Sequence, residues 1–196
     1  MQLVNVIAAS VDGKIAPHPL ADHASRLACG LTSAEDQAFL KNEFAHCDAV
    51  IVGGRTVVAD GSVHEWPGRS GAPPIWYVLT RGGLPANLPF MQQGIKKVIV
   101  TPQDIRDENP ATFVYELIRS TGARTVLLLG GGSVNKMFYA AGLVDSLKLT
   151  LSPTILGSVA AAPIVEAGLP SSVSLHLVSS HAVGSYVFLN YTVHVI

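Results

Sequence analysis

The chain contains one segment that strongly restricts its local fold: a short apolar run, three consecutive glycines and a helical pattern. The apolar run occupies residues 125–129, and the glycines are Gly130, Gly131 and Gly132. Apolar residues then recur at the i, i+3, i+4, i+7 spacing of a buried helix face, at Val134, Met137, Phe138 and Ala141. The segment therefore predicts a strand, a glycine turn and a helix over residues 133–141.

Such a turn has two functional interpretations. Glycines let the backbone approach a ligand closely, and the N-terminal end of a helix dipole favours an anion such as a phosphate. The glycines would equally permit tight packing of the strand against the helix without any ligand. This segment alone leaves both interpretations open.

A second glycine turn and an arginine follow two other apolar runs. Gly53 and Gly54 come directly after residues 49–52, and Thr80 and Arg81 follow a later run. Ligands of open α/β sheets commonly bind at the carboxyl ends of strands, so two glycine turns there could hold both ends of a diphosphate. A guanidinium beside them suits a 2′-phosphate and favours NADP over NAD, although a solvated loop arginine would give the same sequence. Neither turn has the GxGxxG or GxxxxGK[ST] spacing.

The periodicity along the chain predicts a mixed α/β fold, because apolar runs alternate with helical patterns before the period changes from 3.6 to 2. A capping box at Ser33 and a proline at Pro110 mark the starts of two helices, whereas residues 14–32 and 61–74 are expected to be irregular. No repeat or linker divides the chain, so we expect one domain over residues 1–196 with helices flanking a sheet. The expected strands are 3–9, 49–52, 75–80, 97–101, 125–129, 147–151 and 187–193, the last two antiparallel.

Composition excludes several classes of protein. The chain has 196 residues, is 48% hydrophobic and 14% charged, and carries a net charge of −1. These values are typical of a globular protein and provide no basic surface for nucleic acid. The two cysteines form no CxxC pair, which argues against a disulfide scaffold or a zinc–thiolate site. Without a signal sequence or an apolar run long enough for a membrane span, we expect a cytoplasmic protein.

Only a few polar residues are candidates for a catalytic role. Asp60, which precedes Gly61, could be catalytic, although an Asp-Gly pair is equally typical of a turn. Asp12, in Ser-Val-Asp-Gly, is interpreted as a turn residue for the same reason. The histidines have no HExxH or similar spacing and no serine lies in a GxSxG motif, so we predict neither a metal site nor a serine hydrolase.

Several motifs, in order along the chain, resemble those of a known family. Residues 5–16 (NVIAASVDGKIA), 48–57 (DAVIVGGRTV) and 128–133 (LLGGGS) are similar to signature segments of the riboflavin-biosynthesis reductase domain, a pyrimidine reductase family. The similarity continues through residues 141–145 (AGLVD) and 152–157 (SPTILG). Membership would imply the dihydrofolate-reductase-like fold, with three α/β/α layers, a mixed, mostly parallel sheet and a C-terminal antiparallel hairpin.

The resemblance implies an enzyme that uses NADPH to reduce a small heterocyclic substrate. Family members open the ribose of a ribosylaminopyrimidine, such as 5-amino-6-(5-phosphoribosylamino)uracil, to a ribityl chain. By position, Ala9 and Ile15 would hold the nicotinamide carboxamide, and Gly53, Gly54 and Thr56 would hold the phosphate–ribose part. Thr80 and Arg81 would lie near the 2′-phosphate. The diphosphate would be held by Gly130, Gly131, Gly132, Ser133 and Val134.

Polar positions that face the substrate in the family are changed here. Val6 stands where the family usually has lysine, Leu129 where it has glutamate, and Gly61 where it has a second aspartate. Leucine or glycine cannot perform the acid–base or binding role of a carboxylate. The motifs that face the cofactor are kept, so we expect NADPH to bind. Asp60 is the remaining catalytic candidate, and water is an alternative proton source. The expected substrate is a ribosylaminopyrimidine or a pterin-like ring, and a non-catalytic NADPH-binding protein is the remaining alternative.

The resemblance also implies a homodimer, for which the late alternating strands offer an interface. The H-x-E and P-C-x-x-C zinc motifs of a cytidine-deaminase-like domain are missing from the sequence. Any deaminase partner would therefore be a separate chain. We expect a small-molecule substrate and no nucleic-acid or membrane partner.

Overall fold

The computed structural model describes residues 1–105 and 109–195. Its strands are β1 (Gln2–Ser10), β2 (Lys14–Ala16), β3 (Ala49–Gly53), β4 (Ile75–Leu79), β5 (Lys97–Val100), β6 (Thr125–Leu128), β7 (Ser146–Ser152), β8 (Ala162–Pro163), β9 (Val173–Val183) and β10 (Tyr186–Val195). Its helices are α1 (His23–Ala28), α2 (Ala34–Phe44), α3 (Gly54–Asp60), α4 (Pro89–Gln92), α5 (Pro102–Ile105), α6 (Pro110–Arg119) and α7 (Gly132–Ala140).

A single large sheet dominates the architecture. Eight strands pair in the order β5-β4-β3-β6-β1-β7-β10-β9, and β2 pairs with β8 in a separate two-stranded sheet. The strands from β5 to β7 in this order are parallel, whereas β10 is antiparallel to both β7 and β9. Parallel neighbours need crossover connections, which here carry helices. The predicted mixed, mostly parallel sheet with a C-terminal antiparallel hairpin is confirmed.

The apolar runs place the strands accurately, because buried parallel strands are continuously apolar. Every predicted strand agrees with an observed strand to within two residues at each end. The expectation of irregular structure over residues 14–32 is wrong in part, because β2 and α1 form there. Asp22 caps α1 by accepting a hydrogen bond from the Ser25 N–H at 2.8 Å. The sequence did not predict where β9 lies, because all of its residues except the first are exposed.

The helices begin where the sequence marks their starts. Ser33 Oγ accepts a hydrogen bond from the Asp36 N–H at the start of α2. Asn109 caps α6 ahead of Pro110, the first residue of that helix. These caps satisfy N–H groups that have no partner inside a helix. In residues 1–105 and 109–195, no helix combines the length and apolarity needed to cross a membrane.

Apolar side chains cover both faces of the sheet. On β4, Tyr77 and Leu79 pack into the core on the face that contacts Phe138 of α7. The alternate residue Trp76 packs into the opposite core with Phe44 of α2. The central strands are therefore buried from both sides, and only their ends are accessible to a ligand.

Asp12 connects the turn after β1 to the segment that follows β7. Its carboxylate accepts hydrogen bonds from Ser10 Oγ at 2.6 Å and from the backbone N–H groups of Leu156 at 3.0 Å and Gly157 at 2.8 Å. These bonds, the Ser10 hydroxyl above all, lower the pKa of Asp12 to about 2. The contacts agree with the turn role predicted for this residue.

We expect Asp12→Asn to reduce stability at neutral pH and to remove part of its acid dependence. Because the folded-state pKa lies below the ordinary value of 3.8, the contribution of the carboxylate is complete above that value and is lost as the pH falls towards about 2. Melting temperatures of the wild type and the variant should therefore differ at about pH 6 and converge at about pH 2. Circular dichroism measures both, and a constant difference across this range would contradict the assignment.

Candidate active site

A cleft of about 1150 Å³ opens at the carboxyl ends of the parallel strands. This is the edge at which ligands bind in open α/β sheets. One part of the wall, the glycine side, consists of Gly53, Gly54, Thr80, Gly131 and Gly132. Another part, the apolar side, consists of Val6, Leu40, Val52, Trp76 and Leu129.

The two glycine turns are joined by a backbone hydrogen bond. The N–H of Gly53 donates to the carbonyl of Gly130 over 2.7 Å. The strands that lead into these turns, β3 and β6, are neighbours in the sheet. A Cβ atom at Gly53 would come within 3.1 Å of Val134 Cγ2, so a side chain there would require Val134 to shift by a few tenths of an ångström. The prediction that both glycine turns lie at the ends of neighbouring strands is confirmed.

Gly54 and Gly131 are suited to their positions for different reasons. A Cβ atom at Gly54 would lie 2.7 Å from Thr80 Cβ, so only glycine lets α3 begin against the end of β4. A Cβ atom at Gly131 would meet only Thr56 Oγ1 at 3.8 Å and Ile15 Cδ1 at 3.9 Å. The backbone of Gly131 is therefore open to the cleft, between two of the predicted site residues.

A charged cluster lies at the N-terminus of α7. Ser133 Oγ donates a hydrogen bond to Glu166, and Arg55 Nη2 donates to Ser133 Oγ at 2.7 Å and to Glu166 Oε1 at 3.2 Å. The Ser133 hydroxyl, and after it Arg55, holds the pKa of Glu166 below its ordinary value. All three residues line the cleft. The helix end therefore faces one cation and one anion that can rearrange around a ligand.

A buried polar network supports the triple glycine from the side of the sheet. Asn5 Nδ2 donates to the Leu128 carbonyl at 2.7 Å, and Asn5 Oδ1 accepts a hydrogen bond from the Tyr139 hydroxyl at 3.2 Å. Asn135, which is also fully buried, packs its amide against Gly130. Burial raises the pKa of Tyr139, so its hydroxyl remains a donor. The network fixes the end of β6 and the turn that follows it.

Thr80 and Arg81 lie directly after β4, and both line the cleft. Thr80 Oγ1 donates to the carbonyl of Gly83 at 2.9 Å, which fixes the loop behind it. Arg81 is exposed, and in the part of the chain that the structure describes its guanidinium forms no ion pair. Its charge is thus available to an anionic ligand.

The cleft brings together most of the predicted cofactor residues. Those that line it are Ile15, Gly53, Gly54, Thr56, Thr80, Arg81, Gly131, Gly132, Ser133 and Val134. Ala9 is fully buried and pairs with Leu151 of β7, and its neighbour Ala8 lines the cleft. Gly130 turns its carbonyl towards Gly53.

The apolar side includes two positions at which the resemblance implies polar residues. Val6 and Leu129 both line the cleft, beside Trp76. Trp76 is only 2% exposed, and its indole N–H has no hydrogen-bond acceptor within residues 1–105 and 109–195. This wall can pack against a flat ring.

Asp60, the predicted catalytic residue, is held by Arg26 of α1. Arg26 Nη2 contacts Asp60 Oδ1 and Oδ2 at 3.0 Å each, and Arg26 Nη1 donates to the carbonyl of Ala21 at 2.8 Å. The two side chains are only 22% and 20% exposed, and both line the cleft. Asp60 would have to release Arg26 before it could transfer a proton to a ligand. Sequence reasoning missed Arg26 because it did not predict α1.

His64 contributes an aromatic ring to the same region. It stacks on Trp66 with ring centroids 3.8 Å apart and an interplanar angle of 6°. Burial, and after it the nearby His23, holds the pKa of His64 below its ordinary value. At neutral pH the ring therefore lines the cleft without a charge.

Asp36 is a buried carboxylate that sequence reasoning assigned only to a capping box. It is 7% exposed and lines the cleft. Its Oδ2 accepts a hydrogen bond from Thr32 Oγ1 at 2.6 Å, and Gln37 Nε2 donates to that hydroxyl at 3.2 Å. Asp36 shares a face of α2 with Leu40 and Phe44, at i, i+4 and i+8. An acid aligned with an apolar stripe is the signal that could have revealed its burial.

The model of the RibD C-terminal domain family matches residues 2–189. The chain belongs to this family. The match includes every strand and helix that contributes to the cleft, and the resemblance to riboflavin-biosynthesis reductases is confirmed.

Two curated relatives are similar to the chain in sequence, and one solved structure is similar in fold. The chain is 24% identical over 212 residues to the 2,5-diamino-6-ribosylamino-4(3H)-pyrimidinone 5′-phosphate reductase of Methanothermobacter thermautotrophicus, with 95% of each protein covered. It is 27% identical over 208 residues to the riboflavin biosynthesis protein RibD of Synechocystis, covering 94% of this chain and 55% of that protein. A pyrimidine reductase-like protein from Corynebacterium diphtheriae has a TM-score of 0.72 at 16% identity, with 98% and 92% coverage. That structural similarity shows the shared fold.

A double-mutant cycle with Arg26→Gln and Asp60→Asn should reveal direct coupling between the two side chains. Because the pair is largely shielded from water, we expect a coupling energy of about 1–3 kcal/mol in the free energy of unfolding. Urea denaturation of the wild type, both single variants and the double variant measures this energy. Additive effects within about 0.5 kcal/mol would show that the contact does not stabilise the fold.

Proposed function

We propose that the chain is an NADPH-dependent reductase of a ribosylaminopyrimidine 5′-phosphate in riboflavin biosynthesis. The observation that carries this proposal is that three neighbouring strands, β4, β3 and β6, end in one cleft with two glycine turns and an exposed arginine. Such an edge suits a dinucleotide, and the adjoining apolar side leaves space for a ring. The names of the two relatives, a pyrimidinone-phosphate reductase and RibD, support the substrate class.

The glycine side fits the phosphates and ribose of NADPH. Its backbone is open at Gly131, and the N-terminal end of α7 favours an anion at that position. Arg81 would contact the 2′-phosphate, and Arg55 can exchange Glu166 for a phosphate oxygen. The remaining cofactor contacts would come from Ala9, Ile15, Gly53, Gly54, Thr56, Thr80, Gly130, Gly132, Ser133 and Val134.

Opening the ribose breaks the C1′–O4′ bond and leaves an imine between C1′ and the attached nitrogen. Reduction of that imine requires a hydride at C1′ and a proton at the nitrogen. NADPH, when bound, supplies the hydride. The chain contributes orientation, because the apolar side holds the pyrimidine flat and excludes water from one of its faces. Asp60 is the proposed polar catalytic residue. Because Arg26 Nη2 contacts both of its oxygens, Asp60 would have to release Arg26 to transfer a proton, and a water molecule is the alternative proton source.

A reductase of a pterin-like ring is the second candidate function. The observation that favours it is Asp36, a buried carboxylate in the wall of the cleft. Pterins and aminopyrimidinones share an edge with adjacent N–H donors, which a carboxylate can bind. The two functions differ in the atom that is reduced, so product analysis separates them.

We also propose that residues 1–196 form one reductase domain that works as a homodimer. The strand β9 lies at the edge of the sheet and supports this proposal. Its apolar side chains Leu175, Leu177 and Val178 are 43%, 47% and 57% exposed. A long exposed edge strand of this kind is a ready surface for pairing with another copy.

Thermal-shift titration followed by product analysis tests the proposed function. NADPH should raise the melting temperature more than NADH does, and should be oxidised with ribosylaminopyrimidine phosphates but not with a dihydropterin. Turnover of the dihydropterin alone would select the second candidate. Stabilisation without any turnover would indicate a binding protein, and no stabilisation by either dinucleotide would reject the cofactor.

Arg81→Ala should weaken NADPH binding about five- to tenfold and leave NADH binding nearly unchanged, since a charge-assisted contact to an exposed 2′-phosphate contributes about 1 kcal/mol. Isothermal titration calorimetry measures both dissociation constants. Arg124→Ala is the matched control. Arg124 is an exposed arginine directly before β6, at the amino ends of the parallel strands and therefore at the opposite end from the cleft. An equal loss of affinity for both dinucleotides would reject the proposed role of Arg81.

A further inference from the structure

Residues 163–168, which include the end of β8, are bonded to the first turn of α7. The backbone N–H of Glu166 donates to the carbonyl of Gly132 at 3.1 Å, and Asn135 Nδ2 donates to the carbonyl of Ile164 at 2.7 Å. These bonds hold the backbone of Glu166 against the helix end that faces the glycine side of the cleft.

The carboxylate of Glu166 uses two donors at this helix end. Ser133 Oγ donates to Glu166 Oε1, and Arg55 Nη2 donates to Glu166 Oε1 at 3.2 Å and to Ser133 Oγ at 2.7 Å. All three residues line the cleft, and the side chains of Arg55 and Glu166 are 54% and 46% exposed. An exposed ion pair of this kind contributes little to stability, so another anion can replace Glu166 in it.

The same helix end has donors that Glu166 does not use. In residues 1–105 and 109–195, no side chain caps the N-terminus of α7, which begins directly after Gly131. The backbone at Gly131 is open, because a Cβ atom there would have its nearest contacts at 3.8 and 3.9 Å. A phosphate could accept hydrogen bonds from the backbone N–H groups of this turn as well as from Ser133 and Arg55. It would therefore match the helix end more completely than the carboxylate does.

A carboxylate and a phosphate cannot use the two side-chain donors together. Both would accept from Ser133 Oγ, and a hydroxyl has only one proton to donate. Two anions that meet at the Arg55 guanidinium also repel each other, with an energy set by their distance and by the local dielectric constant. The Glu166 carboxylate must therefore leave both donors when a phosphate binds to them.

We propose that Glu166 is an internal competitor for the phosphate position at the start of α7. In the free protein it holds Arg55 and Ser133, and it rotates away when a diphosphate takes its place. Its effect is to weaken the binding of the cofactor and to favour its release. The proposal rests on the cofactor given under the proposed function, and it adds the residue that limits the affinity for that cofactor.

The isosteric variant Glu166→Gln removes the negative charge and keeps a side chain of the same size. It should lower the dissociation constants of NADPH and NADH by the same factor, about three- to tenfold, because both ligands carry the diphosphate. Isothermal titration calorimetry on the full chain measures both constants. This result differs from the one expected of Arg81→Ala, which acts on NADPH alone.

Glu116→Gln is the matched control. Glu116 is 50% exposed and accepts a hydrogen bond from Arg119 Nε at 2.7 Å, whereas α6, on which it lies, reaches the cleft with its first residue, Pro110. The control should leave both dissociation constants unchanged. Unchanged or weaker binding by Glu166→Gln would overturn the proposal, because the carboxylate would then only fix residues 163–168. A gain for NADPH alone would overturn it as well, since the effect would then lie at the 2′-phosphate.

Inorganic pyrophosphate separates this proposal from the proposed function, since it tests the phosphate position without a nucleotide. If neither dinucleotide binds but pyrophosphate binds more tightly to Glu166→Gln than to the wild type, the competitor role stands and the proposed cofactor is rejected. If the dinucleotides bind and Glu166→Gln gains no affinity, the competitor role is rejected and the cofactor stands. Failure of all three ligands to bind either protein would overturn both.

Discussion

The hydrogen bond from the Gly53 N–H to the Gly130 carbonyl, 2.7 Å long, joins the ends of two neighbouring parallel strands. The rest of the cleft depends on this contact. With Gly54 packed against Thr80, it makes the ends of β6, β3 and β4 one continuous surface of backbone. A surface of this kind binds phosphates through N–H groups and is insensitive to substitutions at neighbouring side chains. The glycine side of the cleft can therefore keep its shape while the side chains of the apolar side vary.

The apolar side of the cleft separates its apolar and charged groups. Val6 and Leu129 make the wall apolar, and the charged groups lie on α1, α2 and the end of α3. Two carboxylates remain there in different environments. Asp60 is neutralised by Arg26, whereas Asp36 has only hydroxyl support from its own helix start. These environments suit the first acid to positioning and the second to recognition of donor groups on a ring.

Most of the fold was predictable because it depends on local patterns that continue into the structure. Continuous apolar runs identify buried parallel strands, and the glycines mark the turns that follow β3 and β6. The short helix α1 was missed because it buries no residue and shows no apolar period. Asp36 was missed because a capping box explains an acid near a helix start equally well. Its burial depends on Thr32 and the cleft wall, which only the assembled fold brings together.

Transfer of a deuterium label tests the central claim most directly. NADPH carrying deuterium at the transferable position of C4 would be incubated with the chain and 2,5-diamino-6-ribosylamino-4(3H)-pyrimidinone 5′-phosphate, and the product would be examined by mass spectrometry and NMR. The account predicts a single deuterium at C1′ of a new ribityl chain. A product without deuterium, or with deuterium in the heterocyclic ring, would contradict it.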